Sequence, residues 1–400
     1  MNALAAFQPA PMRQRLSARP VLMFPVLGAA YGLVLLYCAA WPVTRGWGGG
    51  ALAVVLALCL PFVNRALLRQ LWPFVALAAL YLVYAVLSTL GLFETGWTRL
   101  FDPRAIPQQV VSYPALLVLV CLLHRVSYGS GLMAGDNAVL TALGLKLVMA
   151  AVSAWSGEAG FLAALFNVEN LTNQHAIPLL LFFYWSMVAR PSVGWTVLGG
   201  VYVIACAGTT SAALLGVFAI LFGVLACRGR TAVLIAALLA IFSVLAPLFP
   251  LQLLSLDANS GVRAFFWRDG LELAAQSHFI GIGLGTELVR NYYPSLPFDW
   301  RLVDDGSGHL IFIGLHSSFY QALVRVGMAG LLLLGLGCWR LCALARQNAR
   351  PALAWMALCT LLTSLTVNPS LDSANFMFAN ALMIAWLLGP VRANAKAQRA

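Results

Sequence analysis

The sequence predicts an all-α integral membrane protein, and three observations lead to that prediction. Apolar residues make up 62% of the 400-residue chain and charged residues only 9%, whereas soluble domains carry about a quarter charged residues. Windows of about 20 mostly apolar residues, the length that crosses a bilayer as a helix, recur along the chain. These runs lack the alternating pattern of outer-membrane strands, so we expect a helix bundle and not a barrel.

Twelve apolar windows fit the length of a membrane span, and each is bounded by charges, Gly or Pro. With no internal repeat and no linker, we expect a single polytopic membrane domain over residues 1–400. A polar stretch, residues 253–315, separates spans nine and ten and forms one large loop with short helices. The predicted spans are 21–41, 47–63, 71–92, 110–126, 136–155, 175–190, 193–208, 210–228, 230–252, 316–339, 352–367 and 374–390.

The distribution of Lys and Arg predicts the orientation, because these residues accumulate in short cytoplasmic loops. Under the twelve-span map, 15 of the 24 basic residues fall on one side and seven on the other. Twelve of the 13 acidic residues fall on the side that is poor in basic residues. We therefore expect both termini in the cytoplasm and the large loop outside it. The net charge of +11 is then a basic cytoplasmic rim, which gives no reason to expect a nucleic acid partner.

The start of the large loop favours a short helix at the membrane surface. N-cap residues, the first of them Asp257, precede a stretch of aromatic and charged residues. On such a helix Arg263 and Trp267 are four residues apart and share one face, where a cation and an indole can form a pocket wall. Arg268 and Glu272 share another face, and for Arg268 the alternative is a surface ion pair that contributes little.

Three alternating glycines follow the predicted helix, at Gly281, Gly283 and Gly285. Their spacing superficially resembles a dinucleotide-binding loop. Such a loop follows a strand and opens a βαβ unit, whereas these glycines follow a helix. The pattern therefore predicts a turn of the backbone.

His316 stands where the tenth span begins, at the border of water and lipid. Ser317 and Tyr320 follow it closely. A lone histidine is usually structural, but the neighbours of His316 favour a functional interpretation. The structural interpretation is kept for His124, His278 and His309.

In order and spacing, these residues resemble the characteristic stretch of bacterial O-antigen ligases and polymerases. The elements are Arg263-x-x-x-Trp267, then Gly281-x-Gly283-x-Gly285, then His316-Ser-x-x-Tyr320, then Gly327-x-x-Gly330-Leu-Leu. The similarity is sharp over residues 260–335. Elsewhere it consists of the span count and of Thr172-Asn173-Gln174-His175-Ala, which looks like the family's Asn-rich entry to a helix.

The sequence departs from the family pattern at two places. The usual His-Asn pair is His316-Ser317 here, and Ser-Ala-Ala at Ser211 stands where a Ser-Arg-Gly element is expected. The second departure leaves a phosphate-binding arginine without a counterpart. Lys146 is our candidate for that role, because a cation near the middle of a span faces the bundle interior or an aqueous cavity. Arg325 lies about two and a half helical turns after His316, on the opposite face, and we expect it to pair elsewhere or snorkel.

The resemblance implies a GT-C-like membrane glycosyltransferase of the bacterial inner membrane. Its reaction would transfer O-antigen glycan from undecaprenyl diphosphate to a hydroxyl of lipid A-core on the periplasmic face, with inversion at the anomeric carbon. Arg263 would stabilise the leaving diphosphate, and His316 would be the general base. The residues expected to bind substrate are Lys146, Trp267, Arg268, Asn173, His175, Ser317 and Tyr320.

No pair of Asp residues has the spacing of a metal-binding Asp-x-Asp, so we expect a metal-independent reaction without a cofactor. The expected partners are the lipid-linked donor, the lipid A-core acceptor and membrane lipids, bound by a monomer. One alternative is a polymerase of the same family, although a single large outer loop favours a ligase. A second alternative, from another class, is a lipid-linked sugar flippase or other transporter.

Overall fold

The computed structural model describes residues 59–93, 101–125, 229–288, 302–304, 310–368 and 370–390 with a few gaps, and isolated residues at 57, 128 and 147–162. Six predicted spans overlap helices in these ranges: 71–92, 110–126, 230–252, 316–339, 352–367 and 374–390. Four others, 21–41, 175–190, 193–208 and 210–228, lie outside the described residues. So does most of 47–63 and of 136–155.

The described part of the chain is almost entirely helical. Two strands, β1 (Leu302–Asp304) and β2 (Leu310–Phe312), pair antiparallel with Val303 opposite Ile311. Two 3-10 turns lie at Leu60–Phe62 and Ala246–Leu248. The α-helices are α1 (Arg65–Gln70), α2 (Trp72–Thr89), α3 (Ala105–His124), α4 (Gly229–Leu245), α5 (Pro250–Leu256), α6 (Ala258–Gln276), α7 (Ser318–Gln347), α8 (Pro351–Val367) and α9 (Ala374–Leu387).

Within the described residues, α2, α3 and α7 are long and apolar enough to cross a membrane, and counting α4 with α5 as one broken span brings the number to four. These helices indicate a membrane protein. The predicted span 230–252 is not one straight helix, because the chain bends by 108° before Pro250. Proline has no N–H to donate, so Pro247 and Pro250 interrupt the helical hydrogen bonds at this point.

Contacts at one end of the bundle agree with the alternating order of the spans. Arg340 Nε, near the end of α7, donates to the carbonyl of Gln70 at 3.2 Å, just before α2 begins. Asn348 Nδ2, directly after α7, donates to the carbonyl of Trp386 at 2.9 Å, near the end of α9. The start of α2 therefore lies beside the ends of α7 and α9.

The opposite end of the bundle, the His316 end, shows the matching set of contacts. Ser318 Oγ, at the start of α7, donates to the carbonyl of Asn368 at 3.2 Å, directly after α8. Tyr320 Oη donates to the carbonyl of Ser243 at 2.6 Å, near the end of α4. Among the described helices, α7 and α9 thus run opposite to α2, α4 and α8, while the assignment of the His316 end to the periplasm stays a prediction.

The turn predicted from the alternating glycines is confirmed, and it forms a strap, residues 279–286, that returns from α6 to the bundle. Gly281, Gly283 and Gly285 have φ angles of 105°, 81° and 77°. These angles lie outside the range that residues with a side chain readily adopt. The strap packs on a break in α7, where Gly327 has φ 73° and ψ −166°.

We predict that Gly281→Ala destabilises the protein by at least about 2 kcal/mol, because alanine would adopt a strained backbone conformation. A Cβ at this position would also lie 2.7 Å from the backbone nitrogen of Gly327. Gly335→Ala is the matched control, since a Cβ there meets nothing within 4 Å. Thermal unfolding in lipid should show a lower midpoint for the first variant and an unchanged or higher one for the second. Equal midpoints would contradict the docked strap.

Candidate functional site

The helix α6 lies beside the start of α7 and carries the predicted arginines. Its helical backbone across Ala258–Gln276 confirms the predicted helix and the i, i+4 relation of Arg263 to Trp267. Phe266 and Trp267 are completely buried in a small apolar cluster that also contains Leu315. The helix therefore belongs to the packed interior and positions its side chains firmly.

A glycine allows α6 to approach the segment that carries His316. A Cβ on Gly270 would lie 2.9 Å from Cδ1 of Leu315, so a larger residue would push the two elements apart. Leu315 is itself fully buried, and its backbone N–H donates to Oε1 of Gln321 at 3.2 Å. The residue before His316 is thus fixed by packing and by a hydrogen bond.

His316 occupies a sterically restricted backbone position. Its φ is 51°, which is uncommon for a residue with a side chain and costs free energy that the surrounding structure must offset. The imidazole is half-buried and stacks on Phe266, with ring centroids 5.6 Å apart and planes inclined by 17°. Such strained residues cluster at functional sites, so the conformation supports a functional role for His316.

Trp267 and Tyr320 stack on each other beside the segment that carries His316. The indole Nε1 donates to the carbonyl of Leu315 at 2.7 Å, and the indole stacks on Tyr320 with centroids 5.3 Å apart. We predicted that both rings bind substrate. In the structure, Tyr320 Oη is engaged by the carbonyl of Ser243, to which it donates. Trp267 has no exposed surface that a substrate could reach. Their observed contacts support the loop that presents His316.

The guanidinium of Arg263 is close enough to His316 to change its protonation. Burial, and to a smaller extent the positive charge of Arg263, together lower the pKa of His316 from 6.5 to about 4. The imidazole is therefore neutral at neutral pH and has a nitrogen lone pair available. The structure brings together the two residues to which the sequence assigned the chemistry.

The remaining described candidates lie around this pair. Ser317 is buried and is the N-cap of α7, where its side chain accepts a hydrogen bond from the backbone N–H of Tyr320 at 3.5 Å. The positive end of the α7 dipole is thus next to His316. Arg268 is half-buried, and its guanidinium lies 5.2 Å from the ring centre of Phe265.

Three predicted site residues, Lys146, Asn173 and His175, lie outside the described residues, as does Ser211. Sequence reasoning missed Phe266 and Gln321, which hold the His316 segment; no spacing pattern pointed to them.

His124 lies at the other end of the bundle, where its Nε2 is 3.0 Å from the carbonyl of Leu388, in agreement with a structural role. Within the described ranges, no three His, Cys, Asp or Glu side chains form a group that could hold a metal.

Comparisons of the chain with family models, with curated proteins and with solved structures find no match.

We predict that His316 stays neutral until the pH falls to about 4, in contrast to an unperturbed histidine at 6.5. Between these two pH values the unfolded chain binds more protons than the folded one. Stability should therefore decrease as the pH falls from 6.5 towards 4 and change no further through this group below that. NMR of histidine-labelled protein, with the signal assigned by its loss in His316→Asn, measures the titration. A His316 that titrates near 6.5 would contradict the site geometry.

Proposed function

We propose that the protein is a membrane glycosyltransferase that transfers O-antigen glycan from undecaprenyl diphosphate to a hydroxyl of lipid A-core. The observation that carries the proposal is the proximity of Arg263 and His316 at the start of α7. A fixed cation and a neutral imidazole are the two groups that a transfer from a diphosphate donor requires. The resemblance of residues 260–335 to O-antigen ligases supports the same assignment.

Arg263 is the group that we assign to the donor. As the glycosidic bond breaks, negative charge increases on the departing diphosphate, and a guanidinium donates two parallel hydrogen bonds to phosphate oxygens. This interaction strengthens in the transition state and therefore lowers the barrier. The positive end of the α7 dipole, capped by Ser317, adds a favourable field at the same place. Lys146 is our further candidate for a diphosphate contact.

His316 is the general base. The acceptor hydroxyl oxygen forms a bond to the anomeric carbon, the bond from that carbon to the diphosphate oxygen breaks, and the hydroxyl proton passes to the imidazole. Undecaprenyl diphosphate leaves from the opposite face, so the configuration inverts. In the free protein the pKa of about 4 makes His316 a weak base. The negative charge of a bound diphosphate beside Arg263 would raise this pKa towards the working range.

The setting of the reaction follows from the same proposal. The chain would be a multi-pass protein of the bacterial inner membrane with both termini in the cytoplasm and the His316 end in the periplasm. It would act as a monomer, without metal or other cofactor, on two lipid substrates that approach from the membrane. The residues proposed to complete the substrate contacts are Arg268, Asn173 and His175.

Purified protein in lipid vesicles, supplied with glycan on undecaprenyl diphosphate and with lipid A-core, tests the function. We expect glycan on lipid A-core and release of undecaprenyl diphosphate, both in the presence of a metal chelator. Extension of the donor glycan alone, with no transfer to lipid A-core, would make the protein a polymerase. Absence of both products would reject the glycosyltransferase proposal.

A lipid-linked sugar transporter is the second candidate, and two discontinuous helices within the described residues favour it. The chain bends by 108° between α4 and α5, and α7 is broken at Gly327. Transporters place such breaks at their substrate sites. Movement of a fluorescent lipid-linked sugar across vesicles that lack acceptor distinguishes the two functions. Rapid movement that persists in His316→Asn would favour the transporter.

A further inference from the structure

Arg325 is a charged residue that is 1% exposed inside α7. It lies seven residues after the start of this helix, about 10 Å along its axis. The guanidinium Nη1 donates to the carbonyl of Gly283 at 3.3 Å and to both the carbonyl and Oγ1 of Thr286, at 2.8 and 3.0 Å. Arg325 therefore binds the strap by at least three hydrogen bonds.

The strap also replaces hydrogen bonds that α7 loses at its break. In a continuous helix, the N–H of residue 328 would donate to the carbonyl of residue 324. Here Val326 and Gly327 leave the helical conformation, and the strap takes the place of the missing partners. The exchanged bonds run from Ile282 N to the Val324 carbonyl at 2.8 Å, from Gly283 N to the Arg325 carbonyl at 3.1 Å and from Met328 N to the Phe279 carbonyl at 2.8 Å.

Two further helices hold the strap from the other side. Ser88 Oγ on α2 accepts from the N–H of Leu284 at 2.8 Å, and Gln109 Oε1 on α3 accepts from the N–H of Gly285 at 2.9 Å. Tyr84 Oη, also on α2, donates to the carbonyl of Ile280 at 2.6 Å. Irregular backbone among membrane helices persists only where its polar groups are satisfied in this way.

The break divides α7 and leaves a short first segment, residues 318–325, that ends at the strap and begins beside His316. The helix α6, which carries Arg263, leads directly into the same strap. The two elements that carry Arg263 and His316 are thus joined at two places. One is the bond of Trp267 to Leu315 beside His316, and the other is the strap held by Arg325.

We propose that Arg325 is a positioning residue that, through the strap, sets the distance and orientation of His316 relative to Arg263. Without its three bonds, only the backbone bonds from Ile282 to Val324 and from Gly283 to Arg325 would hold the first segment of α7 on the strap. This segment could then tilt about Gly327 and move the His316 segment with it. The inference rests on the proposed function only for the roles of the two residues. The position of His316 relative to Arg263 can be tested without an assay of glycan transfer.

The pKa of His316, measured by NMR of histidine-labelled protein in lipid nanodiscs, reports this positioning, because the influence of Arg263 falls with distance. We expect Arg325→Met to raise the pKa of His316 above about 4, by no more than removal of the Arg263 charge would, because burial is the larger cause of the low value. Arg325→Lys keeps the charge, but its ammonium ends one atom short of the position of Nη1, so it should weaken the three bonds and raise the pKa as well. Thr286→Val removes only the Oγ1 acceptor and should produce a smaller rise in the same direction.

Arg340→Met is the matched control, because Arg340 lies on the same helix and donates to the carbonyl of Gln70 at the other end. It should leave the pKa of His316 unchanged. If the pKa of His316 rises in Arg325→Met but in neither Arg325→Lys nor Thr286→Val, the charge of residue 325 acts on His316 directly, and the positioning role is overturned. If the pKa of His316 rises in none of the three variants, the positioning role is overturned as well. If Arg325→Met does not fold, Arg325→Lys and Thr286→Val decide the question.

The two proposals fail in different ways. If the pKa of His316 rises as expected but the wild-type protein transfers no glycan, the positioning role stands and the proposed function is wrong. If the wild type transfers glycan and the pKa is unchanged in every strap variant, the function stands and the role of Arg325 is wrong.

Discussion

His316→Asn is expected to lower the rate of glycan transfer at saturating donor by about 100- to 10,000-fold, the range that a general base contributes. Asparagine is chosen because His316 has φ 51°, and asparagine accepts this conformation better than alanine. The loss should appear in kcat, since the imidazole takes the proton only as the new bond forms. Initial rates of transfer in vesicles measure the effect.

The matched control for this prediction is His278→Asn. His278 has the same φ of 51° and lies just before the strap, but its side chain is exposed and away from the site. Its variant should transfer glycan at the wild-type rate. If His316→Asn retains the wild-type rate in folded protein, His316 is not the base.

Arg263→Gln is expected to lower kcat by about 100- to 1,000-fold. This is the usual effect in enzymes of removing one preorganised hydrogen-bond donor to the negative charge of the transition state. It should also raise the pKa of His316, because the positive charge that opposes protonation is removed. The value should remain below 6.5, since burial is the larger cause and is retained. Lysine should restore only part of the rate, because a point charge does not form the paired contacts of guanidinium.

Arg346→Gln provides the comparison, because Arg346 is exposed in the last turn of α7, far along the helix from the site. Both its transfer rate and the pKa of His316 should equal those of the wild type. An Arg263→Gln variant with a normal rate and a shifted pKa would show that Arg263 lies near His316 but does not contact the donor.

The local features of the site could be predicted from the sequence. The apolar run at 316–339 and the N-cap pattern before Arg263 predicted helices that are present as α7 and α6. The shared face of Arg263 and Trp267 follows from the helical repeat alone. The alternating glycines predicted a turn of the backbone, which is present at the strap, where all three glycines have positive φ angles.

Contacts between distant parts of the chain could not be predicted in the same way. The break at Gly327 depends on the strap about 40 residues earlier in the chain, whose backbone replaces the helix's own hydrogen bonds. The sequence placed Arg325 on the face opposite to His316 but could not reveal its partners on Gly283 and Thr286. The stacking of Phe266 on His316 likewise depends on how closely α6 packs, which a composition pattern does not encode.

The measurement that tests the central claim most directly is a double-mutant cycle on the rate of glycan transfer, with Arg263→Gln, His316→Asn and the double variant. If the two residues act together on one transfer step, the double variant should be no slower than the slower single variant, because residues of one catalytic unit are not additive. Losses that multiply in the double variant would show that Arg263 and His316 contribute independently and not as one catalytic unit, which would contradict the account.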